Sequence, residues 1–325
     1  MKKIVIFGAS GDIGKYLVDY FIEHSKKKYE IVAVGTRRDP FFVSLNIPYY
    51  QVDITKKEQF EVLPSDVYAV IDLAGIMPAK MKGYEPQKYI DVNISGTLNI
   101  LNYCVKNNVD RIVYSQSFGD IKDYGDELLV LSPYLPRKFS YNSDHTVYVL
   151  TKNFSVDLME NYYKLYGLKR FVIRLPNIYM YSKNGETFYV DGVPKKVGFR
   201  AIIESAIKGE PIEIWGDKNR KKDMIYVKDL CQILFNSCFA KSNGGIFNAG
   251  TGIGITLEDQ IKGIVDVFCS PNNKSEILEA PKKVNAPQYI MDITSTVNEL
   301  SYSPKYNDYI AMLQDYKKEM ELDRF

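Results

Sequence analysis

Tyr148 and Lys152 lie four residues apart in the run Tyr148-Val149-Leu150-Thr151-Lys152. On a helix that spacing is one face, so a phenol and an ammonium share the same space. A positive charge beside a phenol favours phenolate and lowers its pKa. A tyrosine tuned in this way can exchange a proton with an alcohol or carbonyl oxygen while hydride moves at the adjacent carbon. The pair alone is a weak signal: the chain has 26 tyrosines and 42 lysines and arginines, and a solvated helix face is the ordinary explanation.

The N-terminus gives the pair its context. Lys3-Ile4-Val5-Ile6-Phe7 is a short apolar run of the kind that forms a buried strand. It leads directly into Gly8-Ala9-Ser10-Gly11-Asp12-Ile13-Gly14 and then a helical pattern from Lys15 to His24. Glycines let backbone approach a pyrophosphate, and a helix N-terminus supplies amide donors for it. The Gly8-x-x-Gly11-x-x-Gly14 spacing differs from the GxGxxG fingerprint, and a tight strand–helix turn is the alternative. Strand, turn and helix in that order favour dinucleotide binding.

The remaining elements must hold these two pieces together. Ile31–Val34, Val67–Ile71, Arg111–Tyr114 and Arg170–Ile173 read as parallel strands buried on both faces, with long helices expected over 87–107 and 145–166. This alternation predicts an α/β fold, a Rossmann-like doubly wound parallel sheet with ligands at the carboxyl ends of its strands. After about residue 176 the elements shorten and are bounded by glycines, among them Gly185, Gly192, Gly209, Gly216 and Gly244-Gly245. The expected organisation is a dinucleotide-binding domain over 1–176 and a smaller substrate-binding lobe over 177–325, interleaved without a clean linker.

Composition excludes other classes. With 325 residues, 46% of them hydrophobic, the chain can bury a large core. A formal net charge of +2 gives no reason to expect nucleic acid or a membrane surface as partner. Cys104, Cys231, Cys238 and Cys269 are scattered, with no CxxC and only 2 histidines in the chain. Packed, reduced thiols are expected, with no metal site and no disulfides. No charged-then-apolar leader is seen, and no apolar run approaches the ~18 residues that span a bilayer. The expectation is a cytoplasmic globule.

Taken in order along nearly the whole chain, the motifs resemble the extended short-chain dehydrogenase/reductases, specifically the NAD(P)-dependent nucleotide-sugar epimerase/dehydratase group. The matching pieces are the Gly8/Gly11/Gly14 turn, Val52-Asp53-Ile54, Asp72-Leu73-Ala74-Gly75, Asn93-Ile94-Ser95-Gly96-Thr97, Tyr114-Ser115-Gln116-Ser117 and Tyr148-x-x-x-Lys152. Later come Arg174-Leu175-Pro176-Asn177, Trp215-Gly216-Asp217, Ile225-Tyr226-Val227-Lys228-Asp229 and Tyr302-Ser303-Pro304-Lys305. The resemblance implies that Tyr148 is the acid/base, that Lys152 lowers its pKa and binds the nicotinamide ribose, and that Ser117, rather than Ser115, orients the substrate oxygen. A serine that merely caps the strand end is the alternative for Ser117. Ser10, Asp12, Ile13, Leu73, Ala74, Gly75, Asn93, Ser115 and Pro176 are expected along the cofactor, and Asp53 and Ile54 at its adenine. Asn93 could equally be structural.

Three departures from the family pattern matter. NAD-binding members usually carry an Asp at the end of the second strand; this chain has Val34-Gly35-Thr36-Arg37-Arg38. A hydroxyl and two guanidiniums suit a 2′-phosphate, so NADP(H) is favoured over NAD(H). In the substrate lobe Asn177 matches a residue that touches the sugar diphosphate, while Lys222 stands where relatives have a diphosphate-gripping arginine, with Arg220 a substitute by a shift of register. Finally, dehydratases follow the catalytic Ser/Thr with Asp-Glu, whereas Ser117 is followed by Phe118-Gly119, which disfavours dehydration. A 4-epimerase acting on a nucleotide-diphosphate sugar ranks first, ahead of an NADPH-dependent 4-keto-sugar reductase. A non-catalytic cofactor sensor is disfavoured because Tyr148 and Lys152 are both retained. The resemblance also implies a homodimer built on the two long helices, with Ile100, Leu101, Cys104, Leu158, Met159 and Tyr162 as the contact set.

Overall fold

Strand β1 (Lys2–Phe7) alternates its side chains between two cores, as a strand buried on both faces must. Ile4 and Ile6 join Leu17, Phe21, Phe171 and Leu230 on one side; Val5 and Phe7 join Val70, Ile100, Leu101 and Met159 on the other. The computed structural model describes residues 2–25, 28–78, 83–143, 145–183, 185, 187–190 and 193–325, so Gly192 lies outside the described residues. Around β1 stand β2 (Tyr29–Gly35), β3 (Tyr49–Gln51), β4 (Val67–Asp72), β5 (Arg111–Ser117), β6 (Lys169–Leu175) and β7 (Gly244–Asn248). They form a seven-stranded sheet in the order β7-β6-β5-β4-β1-β2-β3, with every neighbouring pair parallel. The order reverses between β1 and β4, which opens a crevice at their carboxyl ends.

The helices depart from expectation in one place. The stretch predicted as one helix over 87–107 is α-helical at Pro86–Tyr89, π-helical at Ile90–Gly96, and α-helical again as α2 (Thr97–Lys106), whereas α1 (Asp12–His24) and α3 (Thr146–Tyr166) are regular. π-helical turns widen the backbone and disturb its i→i−4 ladder. Here the Asn93 carbonyl accepts the Ser155 hydroxyl of α3 at 2.6 Å.

Ile100, Leu101, Cys104, Met159 and Tyr162, expected on a subunit interface, are instead buried in the chain's own core against the sheet, with Leu158 packed on it. The faces turned outward carry Ile90 and Leu98 on one helix and Leu150, Phe154 and Leu165 on the other. Helical residues advance by about 100° each, so a displacement of one or two positions exchanges the inner and outer faces. Cys104, Cys231 and Cys238 are buried free thiols. Among the described residues no helix is long and apolar enough to cross a membrane.

The two halves of the chain share one sheet, because β7 comes from beyond residue 176 and pairs with β6. Besides the apolar core that both halves build, a buried polar cluster lies at the end of β6. The Arg174 guanidinium of β6 binds both oxygens of Asp120 at 3.0 and 2.9 Å, the Pro133 carbonyl at 3.0 Å and Asn248 Oδ1 at 3.2 Å. This pair anchors the segment after β5, whose Ile121 and Leu131 pack with Tyr289 and Met291 in a small core of their own. Both charges are 3% exposed. Removing one partner of such a pair leaves the other charge buried and unpaired, so Asp120→Ala should cost about 3–5 kcal/mol of stability, read from urea denaturation.

Candidate active site

The first turn sets the dinucleotide side. Gly8 has φ +76°, and a Cβ there would lie 2.7 Å from the Ala74 amide nitrogen. The glycine-rich loop therefore touches the Leu73-Ala74 loop after β4 backbone to backbone. Gly14 lets α1 press onto the turn, since its Cβ would meet the Ala9 carbonyl oxygen at 2.5 Å. Helix α1 begins after Gly11, with no side-chain cap. The amides of Asp12, Ile13 and Gly14 sit in its first turn, where helical N–H groups lack intrahelical acceptors and suit a phosphate. These residues fit a dinucleotide pyrophosphate.

At the end of β2, Thr36, Arg37 and Arg38 are exposed. Behind them the Tyr49 hydroxyl donates to the Arg37 carbonyl. A Cβ on Gly35 would lie 2.5 Å from Ser10 Oγ and 2.6 Å from the Tyr49 hydroxyl, so no side chain fits at position 35 without rearrangement. Asp53, just beyond β3, uses one carboxylate oxygen on the Thr55 amide and hydroxyl, and the Ile54 carbonyl accepts Asn99.

Asn93 takes the structural one of its two expected roles. Its carboxamide bonds the Ile76 amide at 2.9 Å, the Ile76 carbonyl at 3.1 Å and the Thr151 hydroxyl at 3.1 Å, and the residue is 1% exposed. It fastens the loop after β4 to α3. Ser115 is likewise engaged, donating to the Asp72 carbonyl at 3.1 Å. Pro176 is buried immediately after β6.

Helix α3 carries Tyr148 and Lys152 over the end of β5. Gln116 donates to Asn153 of α3 at 2.8 Å and accepts the Ser117 amide at 3.0 Å, fixing the strand end against the helix. The Ser117 hydroxyl accepts the Gly119 amide at 3.1 Å and lies close enough to the Tyr148 phenol to lower its pKa. Burial pushes the Tyr148 phenol up to about 12, and the Ser117 hydroxyl opposes it. The influences on the phenol are burial and Ser117, and Lys152 faces other groups. Its ammonium rests 3.9 Å above the Tyr114 ring centre, and the charge that acts on it is Asp72. Burial pulls the Lys152 pKa down while Asp72 raises it; burial pushes Asp72 up while Lys152 lowers it. Asp72 and Tyr114 stand in the motifs quoted above, but the sequence assigns neither a role. Strand alternation could have found Tyr114, because it shares with Gln116 the face of β5 that meets α3.

On the substrate side, Asn177 is exposed beyond β6. Lys222 holds its ammonium 5.5 Å from the Tyr179 ring centre and 5.9 Å from that of Tyr289. Tyr289 in turn packs 4.9 Å from Phe118, next to Ser117. Arg220, by contrast, is spent on Asp126 and the Ala286 carbonyl. Its guanidinium joins two loops, and Lys222 is the cation of that run that stacks on the Tyr179 and Tyr289 rings.

A parallel sheet ordered in this way, with a glycine turn at β1, defines a Rossmann-like dinucleotide-binding protein. The chain belongs to the NAD dependent epimerase/dehydratase family, whose model matches residues 4–250. It is 25% identical over 324 residues to a UDP-glucuronate 4-epimerase of Thermodesulfobacterium geofontis, covering 94% of this chain and 92% of that one. It is also 25% identical over 317 residues to a dTDP-4-dehydro-6-deoxyglucose reductase of Escherichia coli, covering 93% and 92%. Its fold matches a mutant UDP-glucuronic acid 4-epimerase of Bacillus cereus, in complex with UDP-4-deoxy-4-fluoro-glucuronic acid and NAD, with a TM-score of 0.76 at 21% identity, covering 98% and 99%.

The Gly14 contact has a direct consequence. Gly14→Ala should push α1 off the turn and weaken dinucleotide binding about tenfold or more, measured by the fluorescence of bound NADPH.

Proposed function

We propose that the chain transfers hydride at C4 of a nucleotide-diphosphate sugar, as an NADP(H)-dependent 4-epimerase. The observation that carries this reading is the meeting of Ser117 and Tyr148 at the end of β5, with Lys152 one helical turn further along α3. The dinucleotide, when bound, supplies the hydride acceptor and donor. Ser117, held by the Gly119 amide, orients the sugar oxygen; Tyr148 takes and returns its proton; Lys152 brings positive charge to the ribose side. Phe118 and Gly119 offer no second acid or base, which argues against dehydration. Arg37 and Arg38, exposed at the end of β2, support NADP(H), although relatives such as the B. cereus enzyme are seen with NAD. Asn177 and Lys222 are the residues proposed to meet the diphosphate, and the two 4-epimerases matched above support the substrate class.

A second reading, an NADPH-dependent 4-keto-sugar reductase, is favoured by one observation. Arg37 and Arg38 are exposed at the end of β2 and suit NADPH, the reducing cofactor that a reductase must take up and release. The E. coli relative is named as such a reductase.

Denaturing the purified protein and identifying the released cofactor by mass spectrometry separates the two. Oxidised NADP at near one per chain supports the epimerase, whereas NAD overturns the argument from the arginines. An empty protein that binds NADPH much better than NADH moves the assignment to the reductase. In either case Tyr148→Phe should lower kcat by about 10²–10⁴-fold with folding intact by circular dichroism. The proposed homodimer would use the outward residues Ile90, Leu98, Leu150 and Phe154; a monomer by light scattering at micromolar concentration would count against it.

A further inference from the structure

Asp72 ends β4 in the middle of the sheet, is fully buried, and has no part in the chemistry described above. One carboxylate oxygen accepts the Ala74 amide at 3.0 Å; the other meets no hydrogen-bond donor among the described residues. A carboxylate so placed is strongly disfavoured unless a cation faces it. Across the β4–β5 ladder Asp72 stands opposite Tyr114, and the Lys152 ammonium lies over that ring. A carboxylate from β4, a ring from β5 and an ammonium from α3 thus share one buried space.

The other titratable groups around Lys152 carry no charge there or are committed elsewhere. Burial raises Tyr114 of β5 and Cys104 of α2 far above their ordinary values, and Tyr148 of α3 is held protonated. Tyr89, from the turn of helix before the π segment, offers a ring to Tyr148. Asp91 of the π segment binds Gln87 at the surface, and Asp120, in the turn packed against α3, is spent on Arg174. Asp72 is the one charge acting on Lys152 among the described residues.

We propose that Asp72 is a positioning residue for the reacting pair: its carboxylate keeps the buried Lys152 ammonium protonated and seated over Tyr114 through the neutral pH range. Burial by itself favours loss of the lysine's proton, and Asp72 opposes that loss. The sign follows. Neutralising Asp72 removes the force that raises the Lys152 pKa, so Lys152 should lose its proton at lower pH and any activity that needs the ammonium should fall at lower pH.

The inference rests on the assignment of Tyr148 and Lys152 as the reacting pair, but the charge of Lys152 can be measured without a substrate. The full-length chain is labelled with acetic anhydride across a pH series, and the extent of acetylation at Lys152 is read by mass spectrometry. In the wild type Lys152 should titrate below the surface lysines. Asp72→Asn, which keeps an acceptor for Ala74, should move that midpoint down by about one unit or more. Asp72→Ser, which keeps a hydroxyl acceptor, should move it the same way, and NADPH binding should lose affinity at correspondingly lower pH in both variants. A midpoint unchanged or raised in the folded variants overturns the proposal. So does failure of both variants to fold, which would assign the carboxylate to the architecture alone. A shifted midpoint in a protein that turns over no nucleotide sugar leaves this inference standing and removes the proposed reaction.

Discussion

Everything at the candidate site depends on the position of one helix, and the side chain of Asn93 is central to holding it. Its carboxamide reaches the loop after β4 on one side and Thr151 of α3 on the other, while its carbonyl is taken by Ser155. Three elements are thereby tied at a point where the intervening helix is π-wound. Buried polar networks are stabilising only when every member is satisfied. Here a locally irregular backbone is the means of satisfying them, because the widened turn leaves a carbonyl for the serine. Tyr148 and Lys152 inherit their placement from this knot.

The electrostatics of the site follow from dryness more than from charge. The spacing of Tyr148 and Lys152 suggests a lysine that acidifies its tyrosine, yet burial is the largest influence on both groups and raises one while lowering the other. The phenol is moderated by a neutral hydroxyl, Ser117, and the ammonium by a carboxylate on a different strand. Two residues one helical turn apart therefore belong to different local networks in this structure. A bound dinucleotide and sugar would be the natural bridge between the two.

Much of this was legible in the chain, and the reasons for the rest are physical. The strands announced themselves because a sheet covered on both faces needs unbroken apolar runs, and Lys3–Phe7 followed by Gly8-x-x-Gly11-x-x-Gly14 reads as strand, turn and helix in one glance. Helix α3 was found to within a residue. The π-winding around Asn93 was not, since it depends on Ser155 and Ile76 arriving from elsewhere. The outward faces of the long helices were misassigned for a related reason: amphipathic period identifies a stripe, but Leu101 and Leu98 can be told apart only by the sheet that buries one of them. Arg220 looked available until Asp126 came from the segment after β5 to meet it. Asp72 stands in a quoted motif without a role of its own, because an acidic residue at a strand end is ordinary; its significance lies in burial, which a sequence does not display.

The sharing of one sheet between the two halves bears on how the chain reaches its structure. Strand β7 aligns Gly244 with Arg170 and Asn248 with Arg174, so the pairing joins segments far apart along the chain. Contacts of such long range are formed late, because the intervening loop must lose its freedom before they contribute. Until then β6 is an open edge at the margin of the sheet, and one of the acceptors for the Arg174 guanidinium is missing. An emerging chain that has completed its nucleotide-binding turn still presents an unpaired strand, the kind of edge on which neighbouring molecules can pair. The second half thus acts as an internal escort for the first, and the time between synthesis of β6 and β7 is the interval in which this protein is most exposed to misassembly.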